Sequence, residues 1–349
     1  MKKIISVLLL ILFIPSISAS YAGDKPPVTI IHDTHRGGVE FSLGNSTYSG
    51  AMDQNDTYTV GFDIDIPDNG KIKTARAYSY WVWSKKGLEG IYPLMDVSIS
   101  HDGTTTQVSR SEMYTDTKGF ASRYDFFSGV DVYDLDDQIH GDGIYSISMK
   151  NSADDGRTFC LQGIGLLIIY ESEGSPVIEY WINEGCDMLY ADYGITPEMA
   201  TTTMYFRGEV DTGSVNNASL ITICPSGGYS QSAKGTRNKL FFNEKTSTIP
   251  VIGDIIKVLF GSGKMWKNAY ITSDSVQIAQ DERDVTNYLQ HVDNFASIQD
   301  CGDYMLSTNA VLILEKGDNE QASNSTSGFG LLSGIVLLLI VFVGLRSKR

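Results

Sequence analysis

The sequence predicts an all-β protein: two tandem antiparallel β-sandwich domains of jelly-roll or immunoglobulin-like type. Three observations predict it. From about residue 24 to 318 the chain has almost no helical periodicity and reads as short alternating runs rich in Tyr, Val, Ile, Thr and Phe. Those runs are separated by Gly, Asp and Asn, the residues of tight turns. The order of runs in the first half returns in the second.

Residues 1–22 read as an export signal. Lys2 and Lys3 form a basic start, Ile4 to Ile14 is apolar apart from Ser6, and Ser16 to Ala22 is small and polar. Cleavage after Ala22 would place Ser20 and Ala22 at the small-residue positions.

The first sandwich is expected over 23–175. Tyr58–Ile66 sets Val60, Phe62, Ile64 and Ile66 on one face against Gly61, Asp63 and Asp65. Further strands are expected at Ala75–Trp83, Met95–Ser100, Gly129–Leu135, Ile144–Met149 and Ile164–Tyr170. The second sandwich is expected over 176–316. Thr202–Val210 echoes the first strand, Ala218–Ile223 echoes Ala75–Tyr80, and Lys239–Asn243 echoes Leu94–Ser98. "DVTNYL" at Asp284–Leu289 echoes "DVYDL" at Asp131–Leu135, and Asn309–Glu315 echoes Ile164–Glu171. The offsets are 145, 143, 153 and 145 residues for Thr57 to Thr202, Ala75 to Ala218, Asp131 to Asp284 and Leu166 to Val311. Each half is long enough to bury a two-sheet core. The last strand of each is apolar on both faces, as a central strand is. Pro250–Phe260 alone shows helical spacing.

Between the halves lies Ser175–Gly194, "SPVIEYWINEGCDMLYADYG", with a cysteine and the acids Glu179, Glu184 and Asp187. Pro176 breaks pairing and Gly185 and Gly194 allow turns, so the stretch reads as a seam between domains.

The chain closes on a polar linker, 317–327, an uncharged apolar stretch, 328–345, and a basic tail, 346–349. Eighteen residues is about the minimum for a membrane span, and the basic tail marks the cytoplasmic side. The body is therefore expected outside the cell, membrane-anchored by its C-terminus. Its charge agrees: without the five bases of the two ends, 22 bases face 42 acids, a net of −20. Such a surface repels nucleic acid.

Cys160, Cys186, Cys224 and Cys301 form no C-x-x-C pair, so zinc spacing is absent. Outside the cell, disulfides are the default. Of three connectivities, Cys160–Cys186 with Cys224–Cys301 is favoured because it keeps each loop local. N-x-S/T sequons at Asn45, Asn55, Asn217 and Asn324 mark glycosylation candidates on surface loops.

The motifs that carry chemistry are thin. "CPSGG" (Cys224–Gly228) has Pro225 where a trypsin-like nucleophile loop needs Asp, and the five histidines are scattered. "GSGK" (Gly261–Lys264) lacks the Ser/Thr and the first Gly of a phosphate loop. Asp131, Asp134, Asp136, Asp137 and Asp142 offer hard oxygen ligands for calcium but not the twelve-residue loop spacing. Trp81 and Trp83 share one face of their strand and, if exposed, would stack on sugars; burial against a second sheet is the competing reading. His32 and His35 lack a further metal ligand nearby.

The segments Gly37–Gly50, Ala75–Ser84, Gly163–Glu171, Tyr180–Tyr190, Asp284–Leu289 and Gly302–Glu315 resemble a domain-of-unknown-function family of exported proteins from methanogenic archaea. The resemblance implies a cell-surface, S-layer-associated protein and carries no catalytic residue. The C-terminus resembles the Pro-Gly-Phe archaeosortase sorting signal, with Ser327 in place of Pro in "SGFG". These readings converge on a non-enzymatic envelope protein with a structural or adhesive role, without a cofactor unless calcium binds. Its expected partners are the membrane and other envelope or S-layer proteins. The alternative is an extracellular glycan- or calcium-binding module, and the third reading is a secreted hydrolase.

Overall fold

A computed structural model describes residues 23–118, 127–192, 194–227, 237–244, 263–273, 275–302 and 304–317. The expected signal segment, the helix at Pro250–Phe260, Asn324 and the apolar stretch 328–345 lie outside the described residues. Among the described residues no helix is long and apolar enough to cross a membrane.

The described chain is almost entirely antiparallel strand. The first half carries β1 (Val28–Ser42), β2 (Ala51–Met52), β3 (Thr57–Ile64), β4 (Lys71–Lys86), β5 (Glu89–Gly90) and β6 (Met95–His101). It continues with β7 (Thr104–Val108), β8 (Glu112–Asp116), β9 (Phe127–Asp134), β10 (Gly143–Asn151) and β11 (Thr158–Glu171). The second half carries β12 (Val177–Leu189), β13 (Thr201–Glu209), β14 (Val215–Pro225) and β15 (Lys239–Phe242). It ends with β16 (Lys264–Lys267), β17 (Ile278–Asp284), β18 (Val292–Gln299) and β19 (Met305–Lys316).

One eleven-stranded sheet spans both halves in the order β17-β14-β19-β12-β1-β11-β4-β9-β8, with β2 on β11 and β5 on β4. Two four-stranded sheets accompany it, β3-β10-β6-β7 and β13-β18-β15-β16. The order β1-β11-β4-β9 matches β12-β19-β14-β17 strand for strand, and β3-β10-β6 matches β13-β18-β15. The match extends to single hydrogen bonds. Leu135 N–H donates to Ala75 O and Val285 N–H to Ala218 O, both at 2.8 Å. Ala75 N–H donates to Asp136 Oδ1 at 2.7 Å and Ala218 N–H to Thr286 Oγ1 at 2.8 Å. These bonds align Leu135 with Val285, so the partner of Asp284 is Asp134 rather than Asp131.

β1 joins the halves. Val28–Arg36 pairs with β12, and Gly37–Ser42 pairs with β11. At the changeover Gly37 has φ +156°, and a β-carbon there would stand 1.8 Å from Tyr170 O. No side chain fits, which accounts for glycine at this step of the strand. The stretch read as a seam, Ser175–Gly194, is mostly β12, a central strand buried along almost its whole length. Pro176 and Gly174 turn the chain from β11 into it.

Three cores follow. Alternation on β3 buries Tyr58, Val60, Phe62 and Ile64, which meet Ala75, Ala77, Trp81, Leu166 and Ile168 in the first. Met204, Phe206, Leu220, Leu312 and Trp181 belong to the second. The third lies where the long sheet folds back on itself. There Phe41, Tyr78, Tyr80, Leu167 and Ile169 meet Tyr180, Ile182, Ile223 and Val311. β11 thus sends Leu166 and Ile168 one way and Leu167 and Ile169 the other, so both of its faces are covered by protein.

Candidate binding cleft at the open end of the middle core

At one end of the middle core a cleft of about 440 Å³ opens between the halves, lined by Tyr48, Val82, Trp83, Gln162, Tyr190, Ser226, Thr272, Gln277, Gly302 and Tyr304. Irregular backbone builds it. The β4–β9 register slips between Trp81 and Ser84. A residue added to one strand bends it and re-aims its side chains. Trp83 stands in that slip with φ 56° and is 36% exposed, whereas Trp81 is fully buried. A second slip, between Leu161 and Gly163 on β11, sets Gln162 facing the cleft.

Of ten non-glycine residues with positive φ among the described residues, three line this cleft: Trp83, Ser226 (φ 59°) and Tyr304 (φ 30°). Each such conformation costs on the order of 1–3 kcal/mol and persists only where surroundings impose it, which is common at ligand sites. The surroundings here are specific. Ser226 N–H donates to Gln277 O at 2.7 Å. The Tyr304 hydroxyl meets Ser128 Oγ at 2.8 Å, and its ring stands edge-on to Tyr190, 6.3 Å between centroids.

Gln162 is 1% exposed. Its Nε2 donates to Ser226 Oγ at 2.5 Å, and its Oε1 has no donor among the described residues. A buried amide oxygen left unpaired costs roughly 1–3 kcal/mol, so this atom is set to accept a bond from whatever enters. Burial raises the Tyr48 phenol, which sits against the Cys160 thiol. The described lining holds no carboxylate or imidazole. It offers aromatic faces with a few hydroxyl and amide groups, the composition of a site that binds a neutral polar ligand.

Two ionic clusters lie elsewhere in the long sheet. Glu184, buried on β12, accepts from Tyr78 Oη at 2.6 Å and Tyr114 Oη at 3.1 Å, and pairs with Arg76 Nε at 3.1 Å. Burial raises its carboxyl above the usual range against the pull of Arg76. Asp24, Asp116 and Asp187 form the one group of potential metal ligands found among the described residues. The Lys118 ammonium already sits among them, 2.6 Å from Asp116, 2.9 Å from Asp187 and paired with Asp24.

The residues singled out in the sequence fall as follows. Trp81 belongs to the first core, its indole N–H on Asp131 Oδ1 at 3.0 Å, whereas Trp83 is partly exposed. The five aspartates do not converge. Asp131 holds Trp81 and Arg110, Asp134 pairs with Arg76, Asp136 accepts from Ala75 N–H, Asp142 accepts from Ile66 N–H, and Asp137 is exposed. His32 Nε2 lies 2.9 Å from Glu179 with its ring stacked on Trp181 at 4.2 Å, and His35 contacts Tyr170 O. Asn45, Asn55 and Asn217 are exposed, as their sequons require.

The expected disulfides are corrected: Cys160, Cys186, Cys224 and Cys301 are free thiols. Each takes its own surroundings. Cys160 sits beside Tyr48, and Cys186 lies in the middle core with Sγ 4.0 Å from Ser128 O. Cys224 lies in the second core beside Tyr270, and Cys301 is half-buried in the loop after β18.

Sequence missed Tyr48, Gln162, Tyr190 and Tyr304 as cleft residues. They come from separate segments, and no spacing links them. Ser226 was visible within "CPSGG", though as a nucleophile rather than as a partner for an amide.

Fold and cleft define an all-β protein with two like halves and an aromatic-lined cleft between them. The chain belongs to a family of proteins of unknown function, DUF3344, whose profile matches residues 20–315. No curated protein matches it. Among solved structures it is similar to PNGase F, a glycosylasparaginase from Flavobacterium meningosepticum, at 9% identity and TM-score 0.23, covering 80% of this chain and 96% of that one. It is also similar to the major capsid protein P2 of bacteriophage PM2, at 11% identity and TM-score 0.20, covering 81% and 99%. For PNGF-II the values are 9%, 0.26, 86% and 66%. At these TM-scores none of their properties passes to this chain.

Proposed function

We propose that the chain is an exported, surface-displayed binding protein that takes a sugar residue in the cleft beside Trp83. One observation carries this reading. A half-exposed indole, held in a strained bulge, and a buried amide oxygen without a donor face the same cleft. The indole offers an apolar face for the C–H side of a sugar ring. Gln162 Oε1 accepts from a ring hydroxyl, and the Tyr190 and Tyr304 rings bound the site. Export and display rest on residues 1–22 and 328–345, on the net charge of −20 between them, and on the exposed sequon asparagines. The sorting-type tail and an envelope or S-layer setting belong to the same reading, in which the protein recognises glycan rather than cleaving it.

A glycan array with the wild-type chain, Trp83→Ala and Gln162→Leu tests this. Specific binding that falls at least tenfold in both variants, with melting unchanged within a few degrees, is expected. An array on which the wild type binds nothing, or on which Trp83→Ala binds as the wild type does, removes the proposal. The non-enzymatic structural or adhesive role then stands as the second reading, favoured by the continuous eleven-stranded sheet that fixes the two halves together.

A further inference from the structure

Among the described residues, the ionic cluster around Lys118 sets three carboxylates against two ammonium groups. Asp24, Asp116 and Asp187 bring three carboxylates, and Lys25 and Lys118 bring two ammonium groups, with Lys25 Nζ 3.2 Å from Asp116 Oδ1. Asp116 and Asp187 are fully buried. An uncompensated buried charge is costly.

A third cation has a source close by. Gly23 N lies 3.2 Å from Asp187 Oδ1, and Lys25 N–H donates to Asp187 Oδ2 at 3.3 Å. Gly23 is wedged against β13: a β-carbon on it would stand 2.2 Å from Thr201 O. The site therefore takes a glycine nitrogen and nothing bulkier. Gly23 is also the first residue after the expected cut at Ala22.

We infer that removal of residues 1–22 frees a Gly23 α-ammonium that completes this buried ion cluster, so that export processing locks the mature fold. The inference rests on the export reading above. The step is hydrolysis by an export-type endopeptidase. Water breaks the bond between the Ala22 carbonyl carbon and the Gly23 nitrogen. Its oxygen stays with Ala22 as carboxylate, and the nitrogen leaves as ammonium. The amide N–H bond on the Asp187 carboxylate becomes an ammonium–carboxylate ion pair. Among the described residues, the same change sets three cations against the three carboxylates.

The test releases the chain from an N-terminal fusion to begin either at Gly23 or, one residue longer, at Ala22. The Gly23 chain is expected to melt higher by roughly 2–4 °C. In Asp187→Asn that difference is expected to vanish. Should that variant not fold, selective acetylation of the Gly23 α-amine is expected to remove the same increment. Equal melting of the two chains, or an increment that survives both treatments, overturns the ammonium role. N-terminal mapping of protein recovered from exporting cells reports separately on the cut. Gly23 as first residue supports it, and an uncut or differently cut chain overturns it whatever the melting shows.

Discussion

Tyr80 on β4 and Asn309 on β19 meet across the middle core, the phenol donating to Asn309 Oδ1 at 2.8 Å although 229 residues separate them in the chain. The bond ties the first half to the second inside the middle core. Tyr80→Phe leaves the buried amide oxygen unpaired and is expected to cost about 1–3 kcal/mol. A urea midpoint that drops while the slope stays constant checks it.

Glu184 gives the fold a pH dependence of known sign. Burial raises its folded value, so between the ordinary carboxylate value and the raised one the folded chain holds a proton that the unfolded chain has lost. Stability contributed by this group therefore falls as pH rises through that window. Asp131 and Asp187, also raised by burial, act in the same direction. Urea midpoints measured between pH 4 and 7 are expected to decline less steeply for Glu184→Gln than for the wild type.

Gly37→Ala is expected to destabilise by at least ~2 kcal/mol, because the new methyl group would overlap Tyr170 O where β1 leaves β12 for β11. An alanine at the exposed, open Gly87 also has positive φ but meets no neighbour. It separates backbone strain from steric overlap when the two melting temperatures are compared.

Free thiols make a plain chemical prediction. Denatured under non-reducing conditions, the chain is expected to take up four alkyl groups by intact mass. Before denaturation the buried Cys160, Cys186 and Cys224 are expected to react far more slowly than Cys301. Uptake of only two or no groups would restore the disulfide reading.

Much of the fold was legible. The alternation of Val60, Phe62 and Ile64 fixed a half-buried strand, and the doubly apolar Ile164–Tyr170 marked a central one. The joining of the halves was not legible, because β1 changes partners within one run and its glycines read equally well as a turn. Trp83 was misplaced beside Trp81 for a physical reason. Strict alternation assigns both to one face, and a register slip between them is invisible in composition. Glu179, Glu184 and Asp187 stood out as acids, yet their partners His32, Arg76 and Lys118 come from three other segments of the chain.

The double allegiance of β1 has a consequence for how the protein is made. The first strand to emerge during synthesis finds its neighbours only when β11 and β12 have followed it. Until then its edges are open, and loop-closure entropy delays such long-range pairing. Val28–Arg36 therefore stays without its strand partner until β12 has been made.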